Sequence, residues 1–256
     1  MKKLLTELLT STEVPTTCLQ HLNERVLKAY KLTLGGYLTI YPKEVEIFYV
    51  NTECKPPFVD TNMQCRLDPK SNDEIWSLQS NRFGKLYFHR KGLGGVDICL
   101  SDAPHYALCC TLKAAEVNGE ACWSMLKVRN AILDTILRHE GKECNKENRQ
   151  SLMERLNKPD AVTMLAPRSD TLQGDVYHLH RRTLRRRDKF AQLPLRSFMD
   201  VWDKGLQMDN VQRIKLYMSA HPQENLLDVL RREGFRYIPA EIKVRYGIDR
   251  HTKLYE

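Results

Sequence analysis

The amino-acid sequence predicts an α+β protein: a single domain over residues 1–256 with a curved, mostly antiparallel sheet and peripheral helices. Three observations carry this reading. Alternating and continuously apolar strand patterns crowd residues 37–119, which build the central sheet. A helical and basic second half follows over 124–256. Between them there is no regular βαβ alternation, internal repeat or low-complexity stretch, so strands lead and helices come late.

Taken in order, Cys18 to Lys31 sets Leu19, Leu22, Val26, Leu27 and Tyr30 at helical spacing, with Thr16 or Thr17 as N-cap and Gly35–Gly36 beyond the end. Tyr37–Tyr41 and Val45–Val50 read as two strands joined at Pro42–Glu44. Residues 60–82 are polar and irregular, anchored by Trp76 and Leu78. Leu86–His89 is a short aromatic strand, and Gly92, Gly94 and Gly95 supply the turn after it. Val96, Ile98 and Leu100 alternate with Asp97, Cys99 and Ser101, and Ala107–Ala115 is apolar almost throughout, as a central strand is. Met125–Leu137 reads as an amphipathic helix, His139–Arg149 as a charged linker and Leu152–Leu156 as a short helix. Val176, His178 and His180 alternate as in a strand. Asp209–Ala220 and Pro222–Glu233 form a helical pair with Pro222 near the first turn and Gly234 past the end. Phe235–Ile238 and Ile242–Tyr246 read as closing strands.

Two charges interrupt the apolar strands, Asp97 and Lys113. Each is costly to bury without a partner. A hairpin symmetric about His105 sets Asp97 opposite Lys113, on the face that carries Cys99 and Thr111. Such a pair adds little stability, so it points to a site. The plainer alternative is a lysine whose stem packs while its ammonium reaches water.

Composition narrows the function classes. No apolar run approaches the roughly 20 residues of a membrane span, and the first fifteen residues, interrupted by acids, do not read as a signal peptide. The eight cysteines form no CxxC pair and no zinc spacing. A reduced, cytoplasmic protein without metal or cofactor is expected. P-loop, nucleophile-elbow and HExxH motifs are missing. The net charge of +8 is uneven: residues 1–128 carry a net +1 and residues 129–256 a net +7. Within the second half, Arg181, Arg182, Arg185, Arg186, Arg187 and Lys189 fall in nine positions, a density suited to phosphate contacts. The expected partner is therefore nucleic acid, with His178 and His180 beside the cluster. The alternative is a solvated basic tract.

Two separated motifs resemble the methylpurine (alkyladenine) DNA glycosylases. One is the strand Tyr49-Val50-Asn51-Thr52-Glu53 with Asp60 seven residues past the glutamate. The other is Leu86-Tyr87-Phe88-His89 entering a hairpin that closes on Leu112-Lys113-Ala114-Ala115-Glu116, with Gly119 soon after. Arg245-Tyr246-Gly247-Ile248 is a weaker third echo. The resemblance implies a DNA-repair hydrolase that flips a damaged purine nucleotide out of the duplex and cleaves its N-glycosidic bond. It puts Glu53 on the general base that activates water and Lys113 on the pocket arginine that places it. Tyr87 and His89 then line the stacking region, with Asp97 in the same pocket. This chain departs from the pattern at several points. Lys55 replaces an aromatic residue two positions after the base, and Gln64 replaces a usual histidine. Lys113 lacks the planar fork of arginine, and only Leu93 stands where a duplex wedge belongs.

Two further hypotheses compete with the enzyme. One is a non-catalytic nucleic-acid-binding protein using the basic 181–189 segment. The other is an interaction module in which Asp97 and Lys113 merely fix strand register. The enzyme reading requires Glu53, Asp97 and Lys113 to converge on one pocket.

Overall fold

The computed structural model describes residues 1–10, 15–51, 53, 58–60, 63, 79–89, 94–181 and 189–255. They divide into two compact units, Met1–Met199 and Asp200–Glu256, where the sequence reading drew one span.

The first unit is the α+β sheet that the sequence predicts. Its spine is β2 (Leu38–Asn51), a single strand through the Pro42–Glu44 junction where two were expected. The chain absorbs the junction as an irregularity at Pro42–Glu44–Val45, and the extra residue bends the strand instead of ending it. One edge of β2 pairs antiparallel with β6 (Tyr106–Val117) from Ile40 to Asn51. The other edge is shared by three short strands: β1 (Tyr30–Leu34), β10 (Arg196–Phe198) and β3 (Phe58–Val59). Beyond β6 lie β5 (Val96–Cys99) and then β4 (Leu86–Phe88). The strand β7 (Glu120–Cys122) returns on β6, β8 (Leu165–Pro167) pairs with β1, and β9 (Tyr177–Leu179) pairs with β10. The sheet thus recruits strands from outside 37–119.

Period-two alternation gives this sheet two faces. On the first, Val45, Ile47 and Tyr49 of β2 join Leu108, Cys110 and Leu112 of β6 and Phe88, Val96 and Ile98 of β4 and β5. Two helices cover them: α2 (Thr16–Ala29) with Leu19, Leu22 and Val26, and α3 (Met125–His139) with Val128, Ile132 and Ile136. Helix α2 stops two residues before the predicted Lys31, because Tyr30 turns extended and its segment pairs with strands on both sides. Ser124 caps α3 by accepting from the Lys127 N–H. The predicted linker 139–149 instead opens α4 (Lys146–Leu156), capped by Asn145. Arg149 grips Asp134 of α3 with two hydrogen bonds of 2.6 and 2.8 Å. At the end of α4, the buried Asn157 side chain donates to Phe88 O and accepts from Phe88 N–H, at 2.9 and 2.8 Å. It thereby satisfies backbone groups of β4, which has one strand neighbour, β5, among the described residues. A short α1 (Lys2–Thr10) buries Leu5 and Leu8 in the same core.

The second unit has its own core of Ile214, Met218, Val229, Leu230, Ile238, Ile242 and Leu254. Helix α5 (Asn210–Ala220) follows an Asp209 cap, and α6 (Leu226–Arg232) follows an Asn225 cap, so Pro222 belongs to the preceding turn. Gly234 does end α6, with φ +71°. The predicted strand over 242–246 is instead helix α7 (Ala240–Arg245). Ile242 within α7 and Ile238 just ahead of it both join that core.

Candidate functional site

The second face of the sheet carries the chemistry. Reading register across it, Tyr87 of β4 stands opposite Asp97 of β5, Asp97 opposite Thr111 of β6, Thr111 opposite Glu46 of β2, and Glu46 opposite Arg196 of β10. Directly opposed residues point the same way, so five strands present one polar row. A second, apolar row beside it holds Cys99, Cys109 and Phe48, then Ala107 and Val50, with Met63 against them.

Asp97 is not the partner of Lys113. The hairpin is centred one residue earlier than expected, and this sets Thr111 opposite Asp97. The threonine Oγ1 donates to Asp97 Oδ1 at 2.5 Å, and the buried Gln79 amide donates to Oδ2 at 2.9 Å. His89 Nε2 lies 2.9 Å from Asp97 Oδ1, but the ring is not aimed for a directed hydrogen bond, so this contact is chiefly electrostatic. The imidazole lies over Gly95, where a Cβ would come within 2.7 Å of the ring, and 5.7 Å from the Tyr87 ring. A side chain at 95 would have to displace the His89 ring from this position.

Lys113 instead sends its ammonium to Glu46, with Nζ 3.2 Å from Oε2. It sits where β2 is irregular and its neighbours Leu112 and Ala114 face Val45 and Glu44. The lysine side chain is 14% exposed and that of Glu46 2%. Arg196 Nε donates to Glu44 Oε1, with both side chains buried. Glu46 and Glu44 therefore each have a cation beside them, and Asp97 has the His89 imidazole.

Glu53 is placed elsewhere. It is exposed beyond the end of β2, its N–H donating to Asn51 Oδ1 at 3.0 Å. Glu46, which holds the Lys113 ammonium, precedes Asn51 by five residues, roughly 16 Å of strand. Phe48, Val50, Ala107 and Cys109 fill the second face over that stretch. The expected convergence of Glu53 with Asp97 and Lys113 does not occur. Glu46 takes the place beside Lys113, and the sequence reading did not single it out. Glu44 and Glu46 alternate with Val45 and Ile47, the pattern of a strand with its polar face in water, so the alternation by itself did not mark them as buried.

Asp60, the expected companion of Glu53, is buried against Arg181. Arg181 Nη1 donates to Asp60 Oδ2 and to Ile47 O at 3.3 Å, Nη2 donates to Phe190 O at 2.6 Å, and the guanidinium lies over the Phe48 ring at 4.7 Å. This arginine, expected to meet phosphate, is turned inward and ties β2 to the chain around Phe190. Arg182, Arg185, Arg186 and Arg187 lie outside the described residues, as do Lys55 and Gln64. Lys189 opens a 3₁₀ turn, Lys189–Gln192. His178 is also internal. Its Nδ1 meets Ser197 Oγ at 2.8 Å and its Nε2 meets Glu24 at 3.3 Å, and burial pushes its pKa below the ordinary histidine value.

Burial raises the Cys110 thiol well above the usual range, and the Asp97 and Glu46 carboxylates add to the shift. Cys99 and Cys109 face each other with Sγ atoms 4.0 Å apart. Among the described residues, no group of three or more His, Cys, Asp or Glu is placed to hold a metal ion. No helix of the described residues is long and apolar enough to cross a membrane. Searches against models of protein families and against curated proteins found no match to this chain.

Proposed function

We propose that the second face of the sheet is a nucleotide-hydrolysing site of the DNA glycosylase type, with Glu46 as general base. The observation that carries this reading is the Glu46–Lys113 pair at 3.2 Å, with Phe48 two residues along the same strand. A strand carboxylate with an aromatic residue two positions on is the pattern sought at Glu53, where Lys55 broke it. Here Glu46 and Phe48 meet it, and Lys113 keeps its assigned role beside the base.

In this mechanism Glu46 accepts a proton from water as the water attacks the sugar carbon of an extruded nucleotide, and the N-glycosidic bond breaks to release the base. The Lys113 ammonium holds the water beside Glu46 by a charge-assisted hydrogen bond. Tyr87, Phe48 and His89 supply aromatic surface for the flipped base. Asp97 is fixed by Thr111, Gln79 and His89, and it favours a base with donors or positive charge at its edge. DNA is the partner on this reading. The lysine and histidine side chains, 14% and 13% exposed, are the more solvent-facing ends of their pairs, and anionic backbone approaches from that side.

A second reading, a charge network that fixes strand register, is favoured by the near-complete burial of Glu46 (1%) and Asp97 (2%). Release of free base from alkylated DNA separates the two. On the hydrolase reading, wild type releases base, Glu46→Gln is slower by about 10²-fold or more, and Glu53→Gln stays close to wild type. A folded wild type that releases nothing, or Glu46→Gln as active as wild type, rejects it. Under the non-catalytic alternative the basic 181–189 segment binds DNA with a steep salt dependence, and Glu46→Gln leaves that binding unchanged.

A further inference from the structure

The second compact unit contains a cleft of about 1030 Å³ lined wholly by residues between Trp202 and Glu241. Its polar groups sort into those already committed and those left over. Arg213 spends its guanidinium on four backbone oxygens, those of Met208, Val201, Asp203 and Leu206, which fixes the loop before α5. Lys215 is ion-paired with Glu241, Glu233 accepts from Arg232 at 3.1 Å, and Asp209 caps α5 through the Gln212 N–H. The acids of the wall are therefore engaged.

Apart from the exposed Asn210 and Gln212 amides, which can donate or accept, what is left is donor or cation. Among the described residues, Lys204 and Arg236 make no ion pair or hydrogen bond, and both are exposed. The indole Nε1–H of Trp202 is buried without an acceptor. Aromatic surface adjoins them. Trp202 packs against Tyr217 and Phe235, with centroids 5.2 and 5.8 Å apart, and Tyr237 presents a ring that is 71% exposed. A ligand that satisfies this set is anionic, accepts hydrogen bonds and carries a flat apolar ring.

We propose that this cleft is a nucleotide-binding site: Lys204 and Arg236 contact phosphate, and the base stacks on Tyr237 at the Phe235 wall. Cationic grooves with aromatic platforms bind nucleotides in this manner, and the volume suits one or two units. The ligand is either a free mononucleotide or a nucleotide within a single strand. This site is independent of the sheet face and does not need the hydrolase reading.

The test uses the full chain with two probes, adenosine monophosphate by calorimetry and a labelled twelve-residue oligo-deoxyadenylate by fluorescence anisotropy. Lys204→Ala/Arg236→Ala weakens binding by about tenfold or more, and Tyr237→Ala by about fivefold or more, while Tyr237→Phe keeps wild-type affinity. For the oligonucleotide, the double variant also lowers the salt slope by about 1.4, or 0.7 for each lost phosphate contact. All three side chains are exposed, so the thermal midpoint stays at the wild-type value. Mononucleotide binding identifies a free nucleotide as the ligand; oligonucleotide binding at least tenfold tighter identifies a strand. Failure of wild type to bind either probe, or binding by the variants within twofold of wild type, overturns the proposal. Glu46→Gln leaves this binding intact, so the two sites fail separately.

Discussion

Ile47 and Glu46 are adjacent in one strand, and they face different worlds. Ile47 joins an apolar layer closed by α2 and α3, in which each residue is replaceable by another of its shape. Glu46 joins a row of charges and hydroxyls in which each member has a named partner: Lys113, Arg196 with Glu44, and Asp97 with Thr111, Gln79 and His89. Replacing buried ion pairs by packed apolar groups is often neutral or stabilising. The first face holds the sheet together, then, and the second retains charge at a cost that packing alone does not explain. Four experiments sharpen or break that contrast.

The largest effect is expected at Arg196. Changing it to Met strands Glu44 as a buried, unpaired carboxylate and costs about 3–5 kcal/mol in a denaturant titration. The double change with Glu44→Gln recovers most of that loss. A single-variant cost under about 1 kcal/mol shows that water solvates the row, and the contrast between faces disappears.

Ile47→Ala comes next, costing about 2–5 kcal/mol through the cavity it leaves. It should reduce base release only in proportion to the unfolded fraction. Glu46→Gln shows the reverse pattern, small in stability and large in turnover. If the two neighbours lose stability and activity in step, the second face is simply another part of the core.

Asn157→Ala leaves the Phe88 backbone N–H and C=O without their side-chain partner, at about 1–3 kcal/mol. Since β4 delivers Tyr87 and leads to His89, hydrogen exchange at residues 86–89 should speed up more than exchange in β6. Uniform exchange in both strands contradicts a special role for this clamp.

The smallest effect is a pH dependence. Burial depresses the folded-state pKa of His178, so the unfolded chain binds its proton first as pH falls. Its contribution is fully present above the unfolded value of about 6.5 and is lost progressively below it. His178→Gln should flatten the stability–pH curve just under pH 6.5 and leave the curve above pH 7 unchanged. An unaltered slope below 6.5 means that His178 is already solvated in the folded state.

The strand patterns over 37–41 and 45–50 and the apolar run 107–115 located the two central strands, though the first was read as two, and the 3.6-residue period located α2, α3 and α5. Those patterns record burial on one side, which each segment carries by itself. The site was only half legible. Asp97, Thr111 and Lys113 were correctly given a common face, because the error of register was two residues and a shift of two preserves facing. The same slip named the wrong partner, since a carboxylate meets whichever side chain lies opposite. Glu53 drew attention because the resemblance put the general base there, whereas Glu46 stands in a stretch that continues with Phe48 and Val50 on its face. In the second unit Ile242 was read as strand because a six-residue segment satisfies either period until its neighbours decide.

By itself, then, the sequence determined which segments are amphipathic, that Gly234 ends a helix, and that charge is concentrated in the second half. These are local properties, fixed by side-chain chemistry within a few residues. Only the tertiary structure decided that Lys113 meets Glu46, that Arg181 turns inward to Asp60, and that Lys204 and Arg236 are left uncommitted. Those pairings depend on strand register and on contacts between segments 67 and 121 residues apart, where electrostatic partnership is set by distance in space and not by position along the chain.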